Sequence, residues 1–284
     1  EQHNHNKLIE ALKASNTRYI KQKLKTMHHA DVAELMALIG HDERITLLKA
    51  LGKNFEPEIF IDLDADIAEE VIEHLGMAQS ADVITQLNTE DAVQVIEELD
   101  EEEQSELIDA LPESKEKQDI EDRLNLPEDA VGRIMNKNYV AVNANFTVSQ
   151  TLELLRKSRS LPKDFYSVFV LNEKKQPIGA IQASRLLRHG LQKKVTDIME
   201  AEIHNITPNM DQEDIAYMFQ KYDLSSAPVL DEKGQIQAII AIDDILDIVN
   251  EEASEDILQL SGVTETDLHA TIAETSLRRF PWLF

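Results

Sequence analysis

The chain has 284 residues, 42% hydrophobic and 29% charged, which is enough for about two domains with a sizeable core. Its 54 acids against 28 bases leave a net charge of −26, which repels nucleic acid and anionic lipid at long range and argues against a nucleic-acid partner. There is no cysteine, and hence no disulfide, thiolate metal site or Cys nucleophile. The eight glycines form no Rossmann or P-loop cluster, so an enzyme is not expected. No apolar run approaches the roughly 18 residues of a membrane span. The N-terminal Glu1–Asn6 has no signal-peptide core, and its two histidines are too few for a metal site. It reads as a frayed end.

A twelve-residue beat follows. Ile39, Leu51, Leu63, Leu75, Leu87, Leu99 and Leu111 are evenly spaced, and the next residues are Gly40, Gly52, Asp64, Gly76, Asn88, Asp100 and Pro112. These types end helices or cap the next one. Between beats the apolar residues share helical faces, as with Val93, Ile96 and Leu99. Helices of about nine residues are marginal alone and must lean on neighbours, which predicts an all-α superhelix of short hairpins over residues 1–128. From Glu90 to Asp129 there are 17 acids and three bases, a local charge of −14. Such a block costs stability through self-repulsion unless it is solvated or neutralised.

From Val131 the composition shifts to short β-branched runs alternating with helical stretches, and the region repeats itself. Val131–Met135 matches Val195–Met199. Thr147 and Asp211 are matching N-caps, and the strands Ser167–Leu171 and Ser226–Leu230 correspond. So do Ile178–Ile181 and Gln237–Ile240, with Leu186–Leu187 and Ile245–Leu246 beginning the closing helices. This β-α-β-β-α order, met twice over residues 129–250 (129–192, then 193–250), resembles a tandem CBS pair. Such pairs sense nucleotides or ions and self-associate. Members that bind adenosine phosphates carry Ser or Thr three residues before Asp after the last strand. Here Gln182 and Arg185 stand at those places in the first module, and Ala241 and Asp244 in the second. The strand glycine is kept as Gly179 and replaced by Ala238. ATP at the CBS pair is therefore the lesser expectation, and an adenine-nucleotide sensor the alternative reading.

The helix closing the second module continues with Asp243, Asp247, Glu251 and Glu255 at i, i+4 steps, flanked by Asp244 and Glu252. Ile242, Ile245, Val249, Ala253 and Ile257 line its other face. Like charges at this spacing destabilise a helix, and no base lies between Lys233 and Arg278. A hard divalent cation such as Mg²⁺, satisfied by one or two carboxylates and water, would relieve them. The absence of His and Cys from the face disfavours zinc and copper. Residues 251–284 are expected to be a connecting helix. It would run to Arg278–Phe284, whose Arg-Arg followed by Pro-Trp-Leu-Phe reads as a positively charged cytoplasmic edge and the start of a membrane helix.

Superhelix, CBS pair and acidic helix in this order resemble the cytosolic part of the MgtE family of bacterial magnesium transporters. The most specific stretches are Ile134–Val142, Asp211–Asp214, Tyr222–Asp223, Asp243–Asp247 and Glu251–Ile257. The fold class implied is α+β multidomain: an all-α superhelix, a tandem CBS pair and a connecting (plug) helix. The resemblance implies a homodimer through the CBS pair and a transmembrane domain on the same protein. It places the chain at the cytoplasmic face of the plasma membrane in a multi-pass protein. It further implies Mg²⁺ at sites between superhelix, CBS modules and plug helix, holding the channel closed. The carboxylates it implies are Asp211, Asp223, Asp244, Asp247, Glu252, Glu255 and Asp256, with Glu90 and Asp91 on the superhelix. Gln94 stands four residues on, where the family pattern has a partner.

Overall fold

The computed structural model describes residues 2–158, 161–162, 164–246 and 248–249. The chain divides into two compact units that meet in sequence between Glu128 and Asp129.

The first unit is all helical. It contains α1 (Gln2–Lys13), α2 (Thr17–Leu24), α3 (His29–Leu38), α4 (His41–Leu51), α5 (Ala65–Leu75), α6 (Met77–Ile84), α7 (Thr89–Glu97), α8 (Glu101–Ala110) and α9 (Lys115–Leu124). Every beat residue sits at or just past a helical C-terminus. Ile39, Leu51, Leu63, Leu99 and Leu111 are buried, and Leu75 and Leu87 pack against the same core. The turn residues act as the sequence suggests. Gly52 and Gly76 take positive φ, and the Asp100 side chain accepts from the Glu103 N–H to cap α8. One stretch departs from the α-helical beat: Pro57–Asp62 is 3₁₀. Pro57 stops a helix from running through it out of Gly52 and leaves six residues before the Leu63 cap, too few for an α-helix to nucleate.

The N-terminal segment is not frayed. Residues 2–6 open α1, which Leu8, Ala11 and Leu12 anchor in the core beside Ile20 of α2. A half-buried polar link ties the hairpins together. The Arg44 guanidinium donates to Glu70 Oε2 (2.8 Å) and to the carbonyls of Met36 and Ile39 (3.1 and 2.7 Å). It thereby joins α4 to α5 and satisfies carbonyls left open at the end of α3.

The second unit holds β1 (Val140–Asn143), α10 (Val148–Lys157), β2 (Ser167–Leu171), β3 (Pro177–Gln182), α11 (Ala183–Leu186), α12 (Gln212–Tyr222), β4 (Ser226–Leu230) and β5 (Ile236–Ala241). In the first module β1 pairs parallel with β2, and β2 antiparallel with β3. In the second, β4 and β5 pair antiparallel, and the counterpart of β1 is a single bridge from Ile206 to Val229. Thr147 forms a capping box with Gln150, and Asp211 caps α12. The first closing helix is one turn that ends at Leu186, whereas residues 242–246 and 248–249 are helical.

The repeated Val-x-x-Ile-Met segments exchange partners. Val131 and Met135 lie in the core of the second module, with Ile206 and Ile240. Val195 and Ile198 lie in the core of the first, with Val140 and Ile181. Backbone bonds fasten each exchange: Asn136 with Ile239 (2.7 and 2.8 Å), and Glu200 with Ala180 (2.9 and 3.0 Å). This explains the glycine asymmetry. A Cβ on Gly179 would stand 2.4 Å from Met199 Sδ and 2.8 Å from the Glu200 carbonyl, while Ala238 is accommodated fully buried. Replacing Gly179 with Val should cost about 1–3 kcal/mol of stability through overpacking, whereas Ala238→Gly should cost about 1 kcal/mol or less. Urea unfolding of the two variants checks the difference.

Candidate functional site

Five of the nine carboxylates expected to hold metal lie within the described residues. Asp247, Glu252, Glu255 and Asp256 lie outside them.

Asp211 and Asp223 bracket α12. Asp211 is exposed at its N-cap, its Oδ1 accepting from the Glu213 N–H at 2.9 Å. Asp223 is the C-cap, exposed and left-handed (φ 52°, ψ 43°). Twelve residues of helix separate them by about 18 Å, so they cannot chelate one ion. Asp244 is half-buried, and its Oδ2 accepts from the Ala241 N–H at 2.8 Å, at the start of the helical residues that follow β5. A carboxylate there satisfies an orphan amide and complements the helix dipole, so it does structural work before any ligand arrives. The Ser225 carbonyl accepts from the Ile242 N–H, which puts Asp223 and Asp244 at the same end of the β4–β5 hairpin.

Glu90 and Asp91 occupy the first turn of α7 in the helical unit. Glu90 Oε1 is shut off from solvent without a hydrogen-bond partner. Burial raises its carboxyl from the ordinary 4.5 to about 7; its own backbone amide and Arg123 oppose the shift, and Asp91 and Asp119 add to it. Glu103 on α8 is likewise raised, first by burial and then by Glu69, Asp100, Glu106 and Glu73. Among the described residues no three His, Cys, Asp or Glu side chains converge as a metal cage. What the structure offers is dispersed oxygen donors, the kind that a largely hydrated Mg²⁺ uses one or two at a time.

The second unit also contains a cleft of about 550 Å³, counting its open mouth, between the two CBS-like modules. Ser167, Phe169 and Gln182 line it from the first module, and Tyr222, Asp223 and Ser226 from the second, with Glu200, Glu202 and His204 on the crossing segment. His204 stacks on Tyr222 at 4.2 Å between ring centroids. Glu200 pairs with Arg185. Ser226 Oγ is buried with no hydrogen-bond partner. The sequence reading placed Asp223 among the candidates and missed Glu200, Glu202 and His204. The only signal was the alternation Glu200-Ala-Glu202-Ile-His204 just before the bridge at Ile206, an extended pattern that sends these three side chains to one side.

Comparison with known proteins agrees with this architecture. Residues 27–129 match the MgtE intracellular N domain, and residues 131–191 and 195–251 each match a CBS domain. The magnesium transporter MgtE of Thermus thermophilus is 32% identical over 152 residues, 54% of this chain and 34% of that protein. The Bacillus subtilis protein of the same name is 31% identical over 171 residues, 59% of this chain and 38% of that one. The chain thus spans little more than a third of the curated relatives it matches. Among solved structures, the cytosolic domain of the Mg²⁺ channel MgtE in complex with ATP superposes with a TM-score of 0.74 at 26% identity, covering 86% of this chain and 99% of that one. The soluble part of a magnesium transporter gives 0.71 at 22% identity, covering 89% and 99%.

The Glu90 shift sets a pH dependence. A carboxyl whose pKa is raised on folding binds more protons folded than unfolded between about 4.5 and 7. Its stabilising contribution is present below 4.5 and is lost as pH rises through 7. Glu90→Gln removes this loss. In metal-free buffer the variant should melt a few degrees above the parent at pH 8 and lose that advantage by pH 5, as thermal denaturation at both pH values would show.

Proposed function

Because the chain belongs to the MgtE family, carrying its intracellular N domain and a CBS pair in that order, we propose that it is the Mg²⁺-sensing regulatory region of a magnesium transporter, and not an enzyme. In this reading it sits at the cytoplasmic face of the membrane, joined to a transmembrane domain. The reading rests chiefly on the coincidence of that domain order with a donor set made of carboxylates alone. Asp211, Asp223, Asp244, Glu90 and Asp91, with Asp247, Glu252, Glu255 and Asp256, are the proposed ligands. Their oxygens suit a hard cation, and their dispersal suits one that keeps much of its water.

The mechanism follows from charge. At −26 the bare chain repels itself and favours extended arrangements. Mg²⁺ held by carboxylates on two surfaces removes that repulsion only when the surfaces are close. It therefore binds the compact state better and shifts the population toward it. In the whole protein the compact state is the closed gate. Low Mg²⁺ returns the repulsion and releases it. The chain acts as a homodimer through the CBS pair, where Tyr217, Leu246 and Val249 offer exposed apolar area on the second module.

Small-angle scattering at constant ionic strength should show compaction on adding Mg²⁺, with a midpoint of about 10⁻⁴–10⁻³ M or above. Melting should rise by the equivalent of about 1.4 kcal/mol per site at tenfold excess over Kd. Asp211→Asn with Glu255→Gln should weaken both effects. Profiles that K⁺ reproduces at equal ionic strength would refute the proposal.

One feature favours a second ligand. The inter-module cleft, with its unpartnered Ser226 hydroxyl and stacked His204–Tyr222 pair, could take a nucleoside, and a related MgtE cytosolic domain was solved with ATP. Against it, Ala241 supplies no hydroxyl and Asp244 is engaged by the Ala241 amide. Calorimetric titration with ATP should show binding that Ser226→Ala weakens. A flat titration would leave Mg²⁺ as the only effector.

A further inference from the structure

The loop that follows α11 sets two exposed leucines among three exposed cations. Leu187 and Leu191 are 77% and 54% exposed. Arg188, Lys193 and Lys194 are exposed around them and make no ion pair among the described residues. Arg185 is answered by Glu200. From residue 174 to residue 196 the chain has no acid, although acids average one in about five overall (54 of 284). The first acid beyond is Asp197, exposed in a single 3₁₀ turn.

This exposure is built in. The carbonyls of Leu191 and Lys193 accept from the Ser149 and Val148 amides at 2.9 Å each, capping α10, and Lys194 bridges to Thr147. These backbone bonds fix the path of the loop, on which Leu191 stands exposed. Contrasts elsewhere sharpen the point. Helix α2 exposes Arg18, Lys21 and Lys25 but buries Ile20. Leu246 and Val249 are exposed on a stretch that carries Asp243 and Asp244.

We propose that residues 187–194 dock on an anionic lipid bilayer, the two leucines entering the interface while Arg188, Lys193 and Lys194 meet the headgroup phosphates. Apolar side chains ringed by Lys and Arg are the chemistry that an anionic interface rewards. An acidic protein surface would answer the cations and leave the leucines wet. Two copies of the loop would repel each other. The net charge of −26 does not forbid docking, because at physiological ionic strength acids more than about 8–10 Å from the interface are largely screened. The net charge does dictate orientation, since the acidic faces must point away. The inference does not require Mg²⁺ sensing, so a chain indifferent to Mg²⁺ that still docked would refute the proposed function and leave this one standing.

The test is flotation of the full 284-residue chain with vesicles of phosphatidylcholine alone or mixed with phosphatidylglycerol at about 7:3. Binding to the mixed vesicles alone is expected. R188E/K193E/K194E should reduce it at least 100-fold, at roughly fivefold per cation removed. L187S/L191S, with the charges intact, should reduce it about tenfold. These side chains are exposed, so both variants should keep the parent melting temperature. No flotation, equal flotation with phosphatidylcholine alone, flotation unchanged by both variants, or an equal loss from R18E/K21E/K25E would each overturn the proposal. So would loss of self-association in place of flotation, which would assign the surface to a second copy.

Discussion

Unbalanced negative charge is the constraint under which this molecule is built. Helices of eight to twelve residues cannot stand alone, so each turns its apolar residues inward, and the beat residues become a shared core. The polar faces that remain are dominated by acids. Where such a carboxyl is pulled partly inward, as at Glu90 and Glu103, burial and like-charged neighbours hold on to its proton. The bases drawn inward are spent locally: half-buried Arg44 on Glu70 and on helix-end carbonyls, and buried Lys117 and Arg123 beside Glu113 and Asp119.

The second unit solves a different problem. Each module would be open where its first segment leaves it, and each closes the other instead. Val131 and Met135 complete one core, and Val195 and Ile198 the other. The exchange makes the two modules a single mechanical body. It also draws Glu200, Glu202 and His204 along the cleft between them. A ligand in that cleft would touch both modules and the crossing segment together, so binding and module geometry are coupled through backbone bonds as well as side chains.

Much of this was legible in advance. Strands Ser167–Leu171 and Ser226–Leu230 have the bounds that their β-branched runs and turn residues suggested. The caps at Thr147 and Asp211 formed as their side-chain chemistry requires. Other features were hidden for physical reasons. The polar residues 2–6 look disordered, but Leu8 and Leu12 pin their helix to the core from further along. The closing helix of the first module stops after Leu186, because the chain is drawn back to cap α10 at Val148 and Ser149. The bond from the Ala241 amide to the Asp244 carboxylate, three residues on, was not among the features the sequence suggested.

The division follows from the range of the interactions. Periodicity, capping and charge are local, so the sequence by itself determined the twelve-residue helical beat, the duplicated β-α-β-β-α order and the acidic surplus. Which segments trade modules, why Gly179 must be glycine while Ala238 need not be, and which side chains line the cleft depend on contacts between residues far apart in the chain. Only the tertiary structure could decide these, because such contacts leave no periodic trace in the residues that make them.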